Sequence, residues 1–150
     1  MRLAIDARTL TAPKTGDRTV ALGFIKGLME LETDLELALV SQEPISLHLI
    51  PDAPNLTRHV IPGPAGYLWM PLAFPRALRD LKADVGLIQY MGPFSAPCPL
   101  VTTIHDTVWR TMPETFPWKD RMVLDAFVPG TIRRAAAVTT GSEFARGEIL

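Results

Sequence analysis

The sequence predicts an α/β sandwich with a doubly wound, mostly parallel sheet and helices on both of its faces. Short apolar runs alternate along the chain with longer segments in which apolar residues recur at helical spacing. The apolar runs are nearly continuous, which is typical of parallel strands that crossover helices bury on both faces. Most of these runs are followed by a polar or Gly/Pro-rich loop. Together these observations indicate a Rossmann-like fold.

The first half of the chain begins with a strand, a helix and a second strand. Residues 2–7 form an apolar run that includes an acid, and residues 19–31 carry apolar side chains on one helical face. Residues 35–41 follow as the second strand, which completes a βαβ unit. Gly23 and Gly27 are four residues apart in the helix, so we expect them to allow close packing against the sheet.

Seven prolines between residues 44 and 75 exclude long regular elements from the middle of the chain. A short strand is predicted over 57–61, and Pro75 is well placed as the first residue of a helix that ends at Lys82. The aromatic, apolar stretch 67–74 is interpreted as core beneath that helix. A surface that faces a lipid acceptor or a membrane interface is the less favoured alternative.

The second half of the chain continues the alternation. Pro129 and Gly130 predict a kink or a break within a helix over 116–136. Ser142 is the expected N-cap of a terminal helix that reaches the last residue without a stop signal. We therefore expect either that the sequence is cut from a longer protein or that the remainder was lost. The remaining predicted strands are 84–90, 100–104 and 137–140.

Composition restricts the function classes. The chain of 150 residues fits one domain, and its net charge of -1 gives no positive field for nucleic acid. The single cysteine, Cys98, excludes an internal disulfide or a thiolate metal cage, and we expect it to be inert. Apolar runs fall short of the ~20 residues that span a bilayer. We therefore expect a cytoplasmic domain, with peripheral membrane association as an alternative.

In such sheets ligands bind beyond the carboxyl ends of the strands, so the residues that follow each strand are the candidates. Arg8 follows the first strand, and Gly16 precedes the first helix. Glycine there lets backbone approach a ligand, and a helix N-terminus favours phosphate. The segment lacks the three-glycine dinucleotide pattern and the P-loop sequence, so an ordinary glycine turn is an equally weighted alternative.

His105 and Asp106 follow the strand 100–104. An imidazole at this position can donate to a substrate hydroxyl or phosphate, or act as an acid or base near neutral pH. Asp106 is expected to orient the loop. A metal-dependent phosphohydrolase is disfavoured because His48 and His59 lie in proline-rich loops without ligand spacing. A structural role for His105 is the remaining alternative.

At these residues the sequence resembles the N-terminal half of family 4 glycosyltransferases. The most specific piece is Thr-Ile-His-Asp over 103–106, followed by Pro113-Glu114 and by Ser-Glu-Phe over 142–144. Each segment is common, whereas the ordered set is not. The segments that carry the resemblance are residues 1–8, 14–16, 83–85, 101–106, 113–114, 133–135 and 136–146.

The resemblance implies a GT-B enzyme, in which two Rossmann-like domains face each other across a cleft. Residues 1–150 would form the N-terminal domain, which mainly binds the acceptor, and an absent C-terminal domain would hold most of the nucleotide-sugar donor. Family members transfer the sugar to an acceptor hydroxyl with retention and do not require a bound metal. No cofactor and no metal site are therefore expected in this chain.

Roles for individual residues follow from the same resemblance. It implies that His105 lies near the transferred sugar as the catalytic residue, and that Gly16 lies near the donor phosphates. Arg18 stands where many members carry a second glycine. The resemblance therefore implies that the donor site has the charge of Arg18 instead of that glycine. Ser142 and Glu143 match the helix-start segment that lines the cleft on the donor side. The acceptor-side candidates are Arg8 and Asp106.

Two functional hypotheses result. The first is the acceptor-side half of a retaining glycosyltransferase of the hexosyltransferase type, whose partners are the missing C-terminal domain and a carbohydrate or lipid-linked acceptor. The second is a non-catalytic Rossmann-like binding or interaction domain, because fold does not imply function. An apolar surface left by the missing half would also favour self-association of this chain.

Overall fold

The computed structural model describes residues 1–13, 15–31, 34–64 and 66–149. Its sheet has six strands, all parallel, in the order β3-β2-β1-β4-β5-β6. The chain therefore passes from β1 through β2 to β3 at one edge, returns to β4 beside β1, and continues through β5 to β6 at the other edge. The strands are β1 (Arg2–Asp6), β2 (Glu36–Ser41), β3 (Leu56–Val60), β4 (Val85–Gln89), β5 (Leu100–Thr103) and β6 (Ala137–Thr139).

Helices cover both faces of the sheet, as the sequence predicts. Alternate residues of β1 point to opposite faces: Leu3 and Ile5 pack with α1, whereas Ala4 packs with Trp69 and Phe74. A third cluster, around Trp109, packs beyond the end of β5. The fold is therefore Rossmann-like. The helices are α1 (Gly16–Met29), α2 (Trp69–Leu72), α3 (Phe74–Asp80), α4 (Val108–Thr111), α5 (Trp118–Arg134) and α6 (Glu143–Ile149).

Two helices differ from their predicted bounds. Helix α1 begins at Gly16 rather than at residue 19, because the Thr15 hydroxyl caps it by accepting from the Arg18 amide at 3.3 Å. Helix α5 runs through Pro129 without a division, so of the predicted kink or break the break is wrong. Val128 and Thr131 on either side of the proline are both buried, and this packing keeps the chain helical across it.

The aromatic stretch over 67–74 serves both the core and the surface. Trp69, Met70 and Phe74 are buried under the sheet, which confirms the core interpretation for these three. Tyr67 and Leu68 are exposed instead, because they precede α2 in a turn of 3-10 helix at the edge of the packed layer. None of the described helices combines the length and the apolar character needed to cross a membrane.

The expected packing role of Gly23 and Gly27 is wrong. Both are exposed, and a Cβ added to either would meet nothing within 4 Å, so neither glycine brings α1 closer to the sheet. The residues of α1 that do face the sheet are Ala21 and Ile25. The two glycines therefore cost helix stability and give no packing in return.

We expect Gly23→Ala and Gly27→Ala each to raise the free energy of unfolding by about 0.5–1 kcal/mol, because alanine is the better helix former and has room here. Urea denaturation followed by circular dichroism measures the change. Gly66→Ala is the matched control: the added Cβ is equally free, but φ is +66°, so this variant should lose about 1 kcal/mol. Loss of stability in the two α1 variants would contradict the geometry.

Candidate functional site

The candidate site lies at the carboxyl ends of the central strands, where the strand order reverses between β1 and β4. His105 follows β5, and its Nε2 lies 3.1 Å from Oε1 of Gln89, the last residue of β4. An amide oxygen only accepts, so the imidazole donates from Nε2. The contact holds the ring in one orientation, and in the neutral form leaves Nδ1 as an acceptor.

Asp17, in the first turn of α1, joins the same site. One of its carboxylate oxygens lies 4.0 Å from His105 Nε2, and the His105 side chain is largely buried. The start of α1 and the end of β5 therefore converge on one imidazole. The sequence signal for Asp17 is weak, because an acid in the first turn of a helix commonly complements the helix dipole.

Tyr90 completes the wall beside His105. Its ring meets the imidazole edge-on at a centroid distance of 5.5 Å and contacts Trp109 in the same way at 5.8 Å. Burial raises the pKa of the Tyr90 phenol well above its usual range, and the carboxylates of Asp106 and Asp17 raise it further. The phenol is therefore a neutral group among carboxylates. Its φ of +55° is a left-handed conformation that bulky residues seldom adopt.

Arg8, an expected acceptor-side residue, is held by Asp6 at the end of β1. Its Nε and Nη2 donate to the two carboxylate oxygens of Asp6 at 2.9 Å and 2.8 Å, and its guanidinium lies 4.4 Å from the Trp69 ring centroid. The Asp6 side chain is only 8% exposed. The ion pair is therefore preorganised and close to neutral, rather than a free positive charge.

The two predicted donor-side residues near the start of α1 differ in their surroundings. Gly16 is exposed, with open space around it, so a ligand can approach the first turn. The Arg18 guanidinium donates to the Ala12 carbonyl at 3.1 Å, which ties the preceding loop to the helix. Lys14, which belongs to the same sequence segment, lies outside the described residues.

Ser142 and Glu143 line a different concave surface from the cavity that His105 lines. The Ser142 hydroxyl accepts from the Ala145 amide at 3.1 Å and so caps α6 as predicted, while Glu143 pairs with Arg146. Both line an open concave surface of about 600 Å³ beyond the end of β6. His105 instead lines a small cavity of about 20 Å³ between α1 and the sheet.

Asp106 orients its loop as expected, since its carboxylate accepts from the Val108 amide at 3.0 Å and so holds the start of α4. Burial raises the pKa of the Cys98 thiol, with the charge of Asp84 adding to the shift, so the thiolate is disfavoured. Within the part of the chain that the structure describes, no three His, Cys, Asp or Glu side chains are grouped as a metal site requires.

The fold is that of a Rossmann-like α/β protein, and its candidate ligand-binding edge lies at the strand-order reversal. The model of the family described as Glycosyltransferase Family 4 matches residues 16–150, and the chain belongs to that family. No curated protein and no solved structure matches it significantly. The matched region begins with α1, so Asp6 and Arg8 precede it.

Because the pKa of Tyr90 is raised, the stability of the folded chain falls at alkaline pH. The folded-state pKa lies above the ordinary value of 10.0. The neutral phenol therefore makes its full contribution to stability below about pH 10, and this contribution is lost as pH rises further. We expect Tyr90→Phe to lose less stability than the parent chain between about pH 8 and pH 11. Denaturation curves at the two pH values measure the difference.

Tyr67→Phe is the control for this comparison. The Tyr67 phenol donates to Asp120 at 2.8 Å, and its pKa is also raised, first by burial and then by that hydrogen bond. Its side chain is half exposed, so its effect should be the smaller one. A Tyr90→Phe variant whose stability falls as steeply with pH as that of the parent would contradict the prediction.

Proposed function

We propose that this chain is the acceptor-side half of a retaining glycosyltransferase of the hexosyltransferase type. The reaction would move a sugar from a nucleotide-sugar donor to an acceptor hydroxyl. Membership of Glycosyltransferase Family 4 supports the general activity. The observation that carries the proposal is the convergence of His105, Gln89 and the first turn of α1 at one edge of the sheet.

The donor phosphates are assigned to the start of α1. The first amides of a helix have no partner within it and carry the positive end of the helix dipole. The leaving nucleotide diphosphate gains negative charge in the transition state, so these amides would stabilise it more than the ground state. The open space at Gly16 allows the close approach that this role needs.

His105 is assigned to the transferred sugar. Gln89 fixes the ring, so that a sugar hydroxyl would find its partner already oriented. One Asp17 carboxylate oxygen lies 4.0 Å from the same ring nitrogen, so the start of α1 borders the assigned sugar position. Arg8 and Asp106 are assigned to the acceptor side. Ser142 and Glu143 are assigned to the donor side of the cleft.

The remaining partners are proposals of the same kind. A C-terminal donor-binding domain, expected to follow this chain, would close the cleft and supply the cations that a diphosphate needs. We place the reaction in the cytoplasm, with a carbohydrate or lipid-linked acceptor. In isolation, this chain should bind nucleotide sugars weakly at most and should tend to self-associate.

In the protein encoded by the complete reading frame, His105→Ala should lower kcat by roughly 10²-fold, because a preorganised contact to the transferred sugar is lost. Initial rates of sugar transfer, or of donor hydrolysis, measure the change. His59→Ala is the control, since His59 lies on the edge strand β3. A folded His105→Ala enzyme with near-normal kcat would remove His105 from the reaction.

Gly16→Val should raise the KM for the nucleotide sugar by about tenfold and leave the fold intact, because a side chain fits the free protein but crowds the phosphate. Steady-state kinetics with varied donor concentration measure it. Gly23→Val, on the exposed part of the same helix, is the matched control. If both variants gave the same donor KM, the phosphates would not lie at Gly16.

A further inference from the structure

An apolar cleft of about 120 Å³ opens on the side of the Asp6–Arg8 ion pair away from α1. Among the described residues that line it, Arg8 is the one that carries a charge, and the other walls are aromatic or aliphatic. Chief among them are Tyr67, Met70, Met91, Phe94 and Phe127.

The cleft lies at the reversal of the strand order. Arg8 follows β1, whereas Met91 follows β4, so the two adjacent strands on either side of the reversal each contribute a wall. Met91 is also the neighbour of Tyr90, whose ring contacts His105. The cleft and the imidazole therefore belong to one edge of the sheet and are joined by Tyr90.

The walls of the cleft are held by helix α5. The buried Thr131 hydroxyl accepts from the Gly92 amide at 3.0 Å, and Phe94 lies 5.8 Å from Phe127 between ring centroids. Phe94 is nevertheless 63% exposed, and Leu68 at the mouth is 61% exposed. A fixed wall that keeps large apolar side chains in water indicates a surface that a ligand covers.

The charge in the cleft favours an uncharged ligand. Asp6 already neutralises Arg8, so a phosphate would have to compete with a buried carboxylate for the guanidinium. Hydrogens on Arg8 Nη1 have no acceptor among the described residues. They are free to donate to a hydroxyl or ether oxygen of a neutral ligand.

We propose that this cleft binds the apolar aglycone of the acceptor, an alkyl chain attached to an uncharged sugar. Calling the ligand an acceptor rests on the proposed function. The cleft holds about four water volumes of roughly 30 Å³ each, so it takes the first few methylenes. The rest of the chain would lie over the exposed Leu68, and the sugar would point toward His105.

The test uses n-octyl β-D-glucoside below its micelle concentration and methyl β-D-glucoside, which carries the same sugar without the chain. Methionine methyl groups of this chain are followed by NMR during titration without donor. We expect shifts at Met70 and Met91, which line the cleft, and not at Met112 or Met122, which are exposed elsewhere. Methyl glucoside should bind at least about tenfold more weakly.

A pair of variants tests the wall itself. Phe94→Ala should weaken octyl glucoside binding about fivefold or more, because one apolar wall is removed from an exposed position without disturbing the core. Phe144→Ala removes the same side chain from a position that is 74% exposed and outside the cleft lining. It should leave binding unchanged.

Three results would overturn the proposal: equal affinity for the two glucosides, equal shifts at all four methionines, or binding to neutral phosphatidylcholine vesicles without binding to monomeric octyl glucoside. The last result would assign the apolar walls to a membrane surface.

Transfer assays on the complete protein separate this proposal from the proposed function. Equal transfer to both glucosides rejects the cleft alone, whereas octyl glucoside binding without transfer from any donor supports the cleft and counts against the enzyme.

Discussion

The parallel pairing of the central strand β1 determines where the candidate residues around His105 lie. β1 pairs with β2 on one side and with β4 on the other, with Ile5 aligned to Leu39 and Leu87. Parallel strands end at the same edge, so Asp6, Gln89 and His105 meet there although they are far apart in sequence. Ala4, fully buried at the middle of β1, permits helices to pack closely on that face.

Electrostatics at this edge limits what the chain does alone. Asp17 and Asp106 lie near His105, and Asp6 neutralises the nearby Arg8. A helix N-terminus supplies only about half a positive charge, which is small against a leaving diphosphate. Under the proposed function, the second domain would supply the further cations that a diphosphate needs.

The parallel sheet could be predicted from the sequence because buried parallel strands are continuous apolar runs with clear ends. The sequence also indicated His105 as a candidate, since a strand end in such a sheet is a known ligand position, and its functional role stays a prediction. Gln89 and Asp17 were missed because one is an ordinary strand residue and the other an ordinary helix-start acid. The packing role of Gly23 and Gly27 and the break at Pro129 were wrong for a related reason: the effect of these residues depends on what packs beside them.

The Asp6 carboxylate lies between the two parts of the candidate site, which are the small cavity at His105 and the apolar cleft at Arg8. On one side it lines the small cavity that holds Gln89 and His105, and on the other it fixes Arg8 against Trp69 at the wall of the apolar cleft. A ligand oxygen that accepts from Arg8 Nη1 would leave both Asp6 contacts in place, because Asp6 accepts from Nε and Nη2. The Asp6–Arg8 ion pair is therefore shared by the small cavity and the apolar cleft.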